Sequence, residues 1–328
     1  MAKVSVLMPA YNAEKYISEA IDSIIGQSFH DWELIIVNDG SSDRTGEIIL
    51  SYSDKRIKYL KNDGNKGIIY SRKLMINEAT GEYLAFIDSD DTALPGRLQK
   101  QALFLDNNPD YVLCGTWGTL IDGNSTKIKS IKLVTEHDEI RSSLLFSNTF
   151  IQSSIMIRRS VFENESYSDE FPVAEDYDLW CRLSRTAKLK NLPECLCNYR
   201  SHQSNISGEK KEQMDTLVKK IMKRELSLNL GINATNEEIN IHAALRDKDA
   251  YNIPDNLFFK KARLWMRKLA KLNQKQKTYS LYIFPAIICF RWMLACKERG
   301  KYFKAFIFPI ILSFSSLRKL SSILYARK

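Results

Sequence analysis

The first strand-like segment of this chain, Val4-Ser5-Val6-Leu7-Met8, is not followed by a glycine-rich loop; the next residues are Pro9-Ala10-Tyr11-Asn12. A G-x-G-x-x-G turn lets a backbone approach a dinucleotide pyrophosphate, so its absence excludes a nicotinamide-dependent dehydrogenase. The same missing glycines, with no basic residues among them, argue against a nucleotidyltransferase that cradles a triphosphate. Six cysteines (Cys114, Cys181, Cys195, Cys197, Cys289, Cys296) lack metal-ligand spacing, and Cys195-x-Cys197 is too close for an ordinary zinc pair. They read as reduced, packed thiols of a cytosolic protein. No repeat or low-complexity tract is present, and the early strand signal leads to the expectation of no signal peptide.

Acid is scarce at one end. Residues 256–328 hold 17 Lys/Arg against one acid, Glu298, a local charge of +16. Residues 1–255 carry 31 basic and 38 acidic residues, or −7. Such asymmetry seeks nucleic acid or anionic lipid. Two apolar blocks, 279–290 and 305–314, lie in the basic tail, each interrupted by a proline. Both are shorter than the ~20 residues that span a bilayer. Lys/Arg flank them, with Trp265, Trp292, Tyr279, Tyr282 and Tyr302 nearby, a composition suited to helices lying in a membrane interface. The alternative is a small helical subdomain with a buried core. Nucleic acid is not expected, because the apolar blocks would serve no purpose there.

What is present is a globular composition, 44% hydrophobic and 27% charged over 328 residues, enough for one large core or two modest ones. The first ~110 residues alternate strand and helix signals. Asn12 is placed to cap a helix whose Ile17, Ala20, Ile21, Ile24 and Ile25 recur at helical spacing. A second strand, 33–37, ends at Asn38-Asp39-Gly40-Ser41-Ser42-Asp43, and helices to about 53 and over 67–79 bracket a short strand at 57–60. This alternation predicts an α/β fold with a mostly parallel sheet flanked by helices, whose ligands gather at the carboxyl ends of the strands. Short strands are expected near 111–121, 127–133, 154–158 and 195–200, and a helix over 175–186. A nucleotide-binding half of about 1–110 and an acceptor side of about 111–205 then make one catalytic domain, 1–205. A basic, helical, amphipathic region, 206–328, follows it.

The strand 83–87 runs straight into Asp88-Ser89-Asp90-Asp91. Three carboxylates in four positions repel one another, and a divalent cation with hard oxygen ligands, Mg²⁺ or Mn²⁺, would offset them. An acidic turn capping the next helix is the plainer reading. Asp39 follows a core strand and is placed either to accept hydrogen bonds from a base or ribose or to cap its own turn. The run from Asn65 through Gly67 to Arg72 opens a helix, where backbone N–H groups and Arg72 are available to phosphate oxygens or simply start the helix. Ala174-Glu175-Asp176-Tyr177-Asp178-Leu179-Trp180 puts acids at another helix start, where the dipole favours a charged general base or is merely complemented by it. Asp176 and Trp180, four apart, share one face of that helix. His202, after Tyr199-Arg200-Ser201, is a candidate metal or phosphate ligand, or a structural histidine.

In order along the chain, 6–12, Gln27-Ser28-Phe29, 32–43, Asn65-Lys66-Gly67 with Arg72, Gly81-Glu82-Tyr83 leading to the acid cluster, Gln152-Ser153-Ser154, 175–180 and Tyr199-Arg200-x-His202 resemble glycosyltransferase family 2. Its members are inverting nucleotide-sugar transferases with the GT-A fold, and the resemblance covers roughly 2–205. It implies that Pro9, Tyr11, Asn12 and Asp39, with Asn65, Gly67, Arg72 and Asp88, hold the donor nucleotide, uracil being the favoured base. It implies metal contacts from Asp88, Asp90 and His202 to Mn²⁺ or Mg²⁺, and Asp176 as the catalytic base. Asp91, Gln152, Ser153, Glu175 and Trp180 would face the sugar or acceptor. The implied partners are a UDP-sugar donor, a glycan acceptor, lipid-linked by analogy, and an anionic membrane surface met by 256–328. The expected location is cytoplasmic, peripheral on the inner face of the cell membrane, in bacterial surface-polysaccharide synthesis. A non-catalytic membrane-surface scaffold is the rival reading; Asp90 and Asp176, which such a scaffold could lose, are both present.

Overall fold

The computed structural model describes residues 2–202 and 210–326, so the expected domain boundary between 205 and 206 lies outside the described residues. The chain forms two compact units. The first comprises Met1–Thr135, Phe150–Leu179 and Thr186–Glu209; the second comprises Glu136–Thr149, Trp180–Arg185 and Lys210–Lys328. The helical unit thus draws in two short segments from the expected catalytic domain, because their apolar residues Ile140, Leu144, Leu145 and Cys181 are buried.

The first unit is built on strands β1 (Val4–Ala10), β2 (Trp32–Asn38), β3 (Ile57–Lys61), β4 (Tyr83–Phe86), β5 (Thr92–Ala93), β6 (Tyr111–Ile121), β7 (Lys127–Ile131), β8 (Met156–Arg158) and β9 (Lys188–Arg200). They form one sheet in the order β3-β2-β1-β4-β8-β6-β9-β5, with β7 on the side of β6. The stretch β3-β2-β1-β4 is parallel, and the remainder is mixed: β8 runs antiparallel to β4 and β6, while β9 is parallel to β6. β1 is buried at every position, as a central parallel strand covered on both faces must be. Val4, Val6 and Met8 pack with Ile17, Ala20, Ile21 and Ile24 of α1 (Ile17–Ile25) and with Leu98, Ala102 and Leu105 of α4 (Arg97–Asn107). Each such side chain contributes ~1.5–3 kcal/mol by burial. α2 (Thr45–Leu50) follows β2, and α3 (Ile68–Glu78) packs against β1 and β2.

Two expectations change here. Asn12 does not cap α1, whose N-cap position is Tyr16 without a side-chain bond. Asn12 instead adopts φ 48°, its N–H donates to Ser41 Oγ (3.0 Å), and its Oδ1 accepts from the Ser42 N–H (3.0 Å), which ties the loop after β1 to the loop after β2. The last strand starts at Lys188, well before 195, because the register with β6 jumps from Leu192 to Cys195 and so accommodates Pro193 and Glu194 in a bulge.

The second unit contains α5 (His137–Leu144), α7 (Lys211–Leu230), α8 (Asn236–Ala243), α9 (Asp255–Gln276), α10 (Ile283–Glu298) and α11 (Phe314–Ala326); α6 (Glu175–Leu183) lies between β8 and β9 in the chain. The apolar block 279–290 is largely core here: Tyr279, Ile283, Phe284, Ala286, Ile287, Ile288, Cys289 and Phe290 are buried. Trp265 and Trp292 are buried with it, so neither these nor Tyr279 serves as an interfacial anchor; Tyr282 and Tyr302 stay exposed. His242 is fully buried, and the Trp265 indole N–H donates to its Nδ1 (3.0 Å). An indole only donates, so the imidazole proton sits on Nε2 and bonds the Leu145 carbonyl (2.8 Å). Burial, with the nearby Arg291 charge, lowers its pKa to about 4. Among the described residues all six cysteines are free thiols, five of them buried. No helix of the described residues is long and apolar enough to cross a membrane.

Candidate active site

The parallel strands deliver their loops to one edge, since Ala10 pairs with Asn38 and Leu7 with Phe86 in register. Tyr11, Asp39 and the acid cluster therefore emerge together at the carboxyl ends of β1, β2 and β4. Pro9 is buried within β1, whereas half the Tyr11 surface is open to solvent. Asp39 is buried: its Oδ1 accepts from Asn62 Nδ2 (2.6 Å) and the Lys66 N–H (2.9 Å), and its Oδ2 from the Gly67 N–H (2.8 Å). The amides at Lys66 and Gly67 thus point at Asp39 and not outward to a phosphate, and Asp39 caps the loop that leads into α3. Asn65 is exposed, and its Oδ1 accepts from the Gly67 N–H (3.1 Å). Gly40 is required in this loop: at φ +75° an added Cβ would stand 2.5 Å from the Gly64 backbone.

Arg72 is also drawn inward. Its guanidinium is buried, pairs with Glu175, lies 3.6 Å from Asp88 Oδ1, and stands over the Tyr167 ring at 5.4 Å. Nearby carboxylates keep it charged against the cost of burial. Burial pushes Glu175 up to about 7, against the pull of Arg72, and the charges of Asp176 and Asp88 push the same way. Asp88 is likewise raised, by burial first, and its backbone N–H is held by Ser153 Oγ (3.0 Å). Ser153 is fully buried and Gln152 partly so, in the short 3₁₀ turn Gln152–Ser154 before β8. Asp176, in the first turn of α6, is partly exposed, and its Oδ1 accepts from the Tyr177 N–H (2.6 Å). Its charge is felt by Arg72, Asp88 and Glu175, which places all four in one electrostatic cluster.

Asp90 reaches the other way. Its Oδ2 lies 2.8 Å from His202 Nε2, both side chains being partly exposed, with Tyr16 against the imidazole (ring centroids 5.1 Å). Asp91 is 1% exposed and accepts the Arg200 N–H (2.7 Å), so it secures the last strand and offers a sugar no surface. Burial and its two acidic neighbours hold its carboxyl well above the usual range. Trp180 is completely buried and likewise presents no face to a sugar.

Arg200 is the residue whose role sequence reasoning missed. Fully buried, its guanidinium donates to the Asp90 carbonyl (2.7 Å), Ser125 Oγ (2.8 Å) and Glu19 Oε2 (2.7 Å), and lies over the Tyr16 ring at 4.5 Å. Only its place between an aromatic and a histidine at a strand end hinted at this. Arg97 does similar work from below, donating to the carbonyls of Phe86 (2.9 Å) and Ile155 (3.1 Å).

Among the described residues no group of three or more His, Cys, Asp or Glu side chains is set to hold a metal. Asp90 and His202 nevertheless fit a divalent ion: enzyme Mg²⁺ sites take one or two carboxylates and complete their shell with substrate phosphates and water. Asp88 and Asp91 are both raised, by burial first and then by the charges of neighbouring carboxylates.

The sequence pattern described as Glycosyl transferase family 2 matches residues 5–165. An uncharacterized glycosyltransferase of Haemophilus influenzae is 34% identical over 239 residues, 69% of this chain and 74% of the relative. The Escherichia coli UDP-Glc:alpha-D-GlcNAc-diphosphoundecaprenol beta-1,3-glucosyltransferase WfgD is 34% identical, over 65% of this chain and 85% of its own. The O-antigen biosynthesis glycosyltransferase WbnJ of Escherichia coli is 33% identical, over 62% and 81%. Among solved structures, S. aureus TarS 1–349 in complex with UDP-GlcNAc shares the fold, with TM-score 0.58 at 19% identity over 92% of this chain and 90% of that one.

Proposed function

This chain belongs to glycosyltransferase family 2, and we propose that it moves a sugar from a nucleoside-diphosphate donor, UDP favoured, to a hydroxyl of a glycan acceptor with inversion at the anomeric carbon. The observation that carries this reading is the cluster of Arg72, Asp88, Glu175 and Asp176 beside the strand ends that present Tyr11 and Asp90. Tyr11 offers an open aromatic face to the base. Asp176 takes the proton of the acceptor hydroxyl, and the oxygen attacks the anomeric carbon from the side opposite the diphosphate. The carbon–oxygen bond to phosphate breaks, and its electron pair leaves with the nucleoside diphosphate. Base assistance of this kind contributes on the order of 10²–10⁴-fold. The fixed Arg72–Glu175 pair holds the start of α6, and so the base, in place. Mn²⁺ or Mg²⁺ held by Asp90 and His202, with Asp88 alongside, would neutralise charge on the departing diphosphate.

The names of WfgD and WbnJ support a polyprenyl-diphosphate-linked glycan as acceptor and a place in bacterial surface-polysaccharide assembly. The basic region 256–328 supports a further partner, the anionic inner face of the cell membrane. Titration calorimetry with UDP, GDP and dTDP, each with Mn²⁺ and with chelator, tests the donor site. UDP binding that requires the ion, and that weakens in Asp90→Ala, is expected; no nucleotide binding under any condition would sink the assignment.

A further inference from the structure

Building on the membrane reading above, we propose that residues 302–317 form an apolar wedge that enters an anionic bilayer interface, while the apolar block 279–290 does not. The two blocks look alike in sequence and end up in opposite environments. The first is core of the helical unit. In and around the second, Phe303 is 91% exposed, Ile311 100% and Phe314 82%, and Tyr302, Ile307 and Leu317 are exposed with them, while Phe308, Ile310 and Leu312 are half-buried. Isolated exposed apolar residues are ordinary, but six within sixteen positions make a patch that marks an interaction site.

The segment is held in that presentation. The Arg267 Nε–H donates to the Pro309 carbonyl (2.8 Å), and the Trp292 indole N–H to the Lys304 carbonyl (2.9 Å). α11 buries Ser316, Leu320 and Ile323 on one stripe and ion-pairs through Lys319 to Glu139, which leaves Phe314 and Leu317 facing out. Charge selects the occupant. From residue 299 onward the chain has no acid; Lys304 and Arg318 lie within and beside the wedge, while Arg299 and Lys301 share Asp255 and Lys319 pairs with Glu139. A cationic rim around apolar side chains complements anionic headgroups over acyl chains; a second copy of this chain would set like charge against like charge.

The test is cosedimentation of the full chain with vesicles of phosphatidylcholine containing about a third phosphatidylglycerol, beside pure phosphatidylcholine. The chain is expected to bind the anionic vesicles and to keep part of that binding in high salt, because an inserted apolar surface is not screened. Ile311→Asp/Phe314→Asp should weaken binding about tenfold or more, whereas Leu228→Asp, at an exposed position on α7, should bind as the parent does. UDP titration of both variants, far from the donor residues in sequence, reports whether they fold and keeps the transferase reading separate. Undiminished binding by the double variant would overturn the wedge while leaving a membrane contact made by charge alone. Absence of binding by the parent would overturn both, and a dimer in solution that the double variant dissolves would assign the patch to self-association.

Discussion

The two units treat their buried polar groups in opposite ways. In the sheet unit, buried Arg72, Arg97 and Arg200 reach from the interior toward strand ends and leave Asp90, His202, Tyr11 and Asp176 accessible. In the helical unit the buried polar groups take internal partners: Glu225 is gripped by the partly buried Arg185 at 2.8 and 2.6 Å, Asn229 joins the same carboxylate at 3.0 Å, and His242 is spent between Trp265 and Leu145. One arrangement is a scaffold with open ends, the other a set of internal ties. Burial of charge alone therefore does not mark a reactive site; what marks it is buried charge that terminates at exposed acceptors and donors.

The sharpest way to break that comparison is Asp176→Asn. A lost general base should lower kcat by roughly 10²–10⁴-fold, with UDP affinity and melting temperature unchanged; a normal turnover rate would remove Asp176 from the mechanism. Next is Arg200→Met, which strips four hydrogen bonds from a buried guanidinium. A loss of roughly 3 kcal/mol in stability is expected, together with weaker metal-dependent UDP binding in whatever remains folded. If calorimetry found the donor site intact, Arg200 would be a fold residue only. The smallest effect belongs to the helical unit. His242 titrates near 6.5 when unfolded and at about 4 when folded, so the unfolded chain takes up the proton first. Its contribution is fully present above about 6.5 and is lost as pH falls through 4, on the order of 3 kcal/mol in all. Urea unfolding at a series of pH values should show this loss in the parent and its absence in His242→Gln. UDP affinity of the variant at neutral pH should not change.

Much of the sheet unit was legible because buried parallel strands are continuous apolar runs bounded by turn residues, as in 4–8 and 83–87. The beginning of β9 was not, since Lys188, Lys190, Pro193 and Glu194 interrupt its pattern and only pairing with β6 overrides them. The carboxylates were visible as a cluster, but their division of labour was not. Asp90 faces His202 while Asp91 is committed to Arg200, and that split depends on contacts more than a hundred positions away. Asn12 looked like a helix cap because its residue type suits one; its positive φ and the partners Ser41 and Ser42 come from the neighbouring loop. The block 279–290 could not be read at all as buried or interfacial, since a short apolar helix has the same periodicity in either setting.

The bonds from Arg200 to the Asp90 carbonyl and from Asp91 to the Arg200 N–H also impose an order in time. Residues 5–165, the stretch carrying the family pattern, include the carboxylates of Asp88, Asp90 and Asp91 but not the strand that latches their loop. The contacts of Arg200 with the acid loop can form only after the strand ending at Arg200 has been made, and in the folded protein that strand lies beside β6.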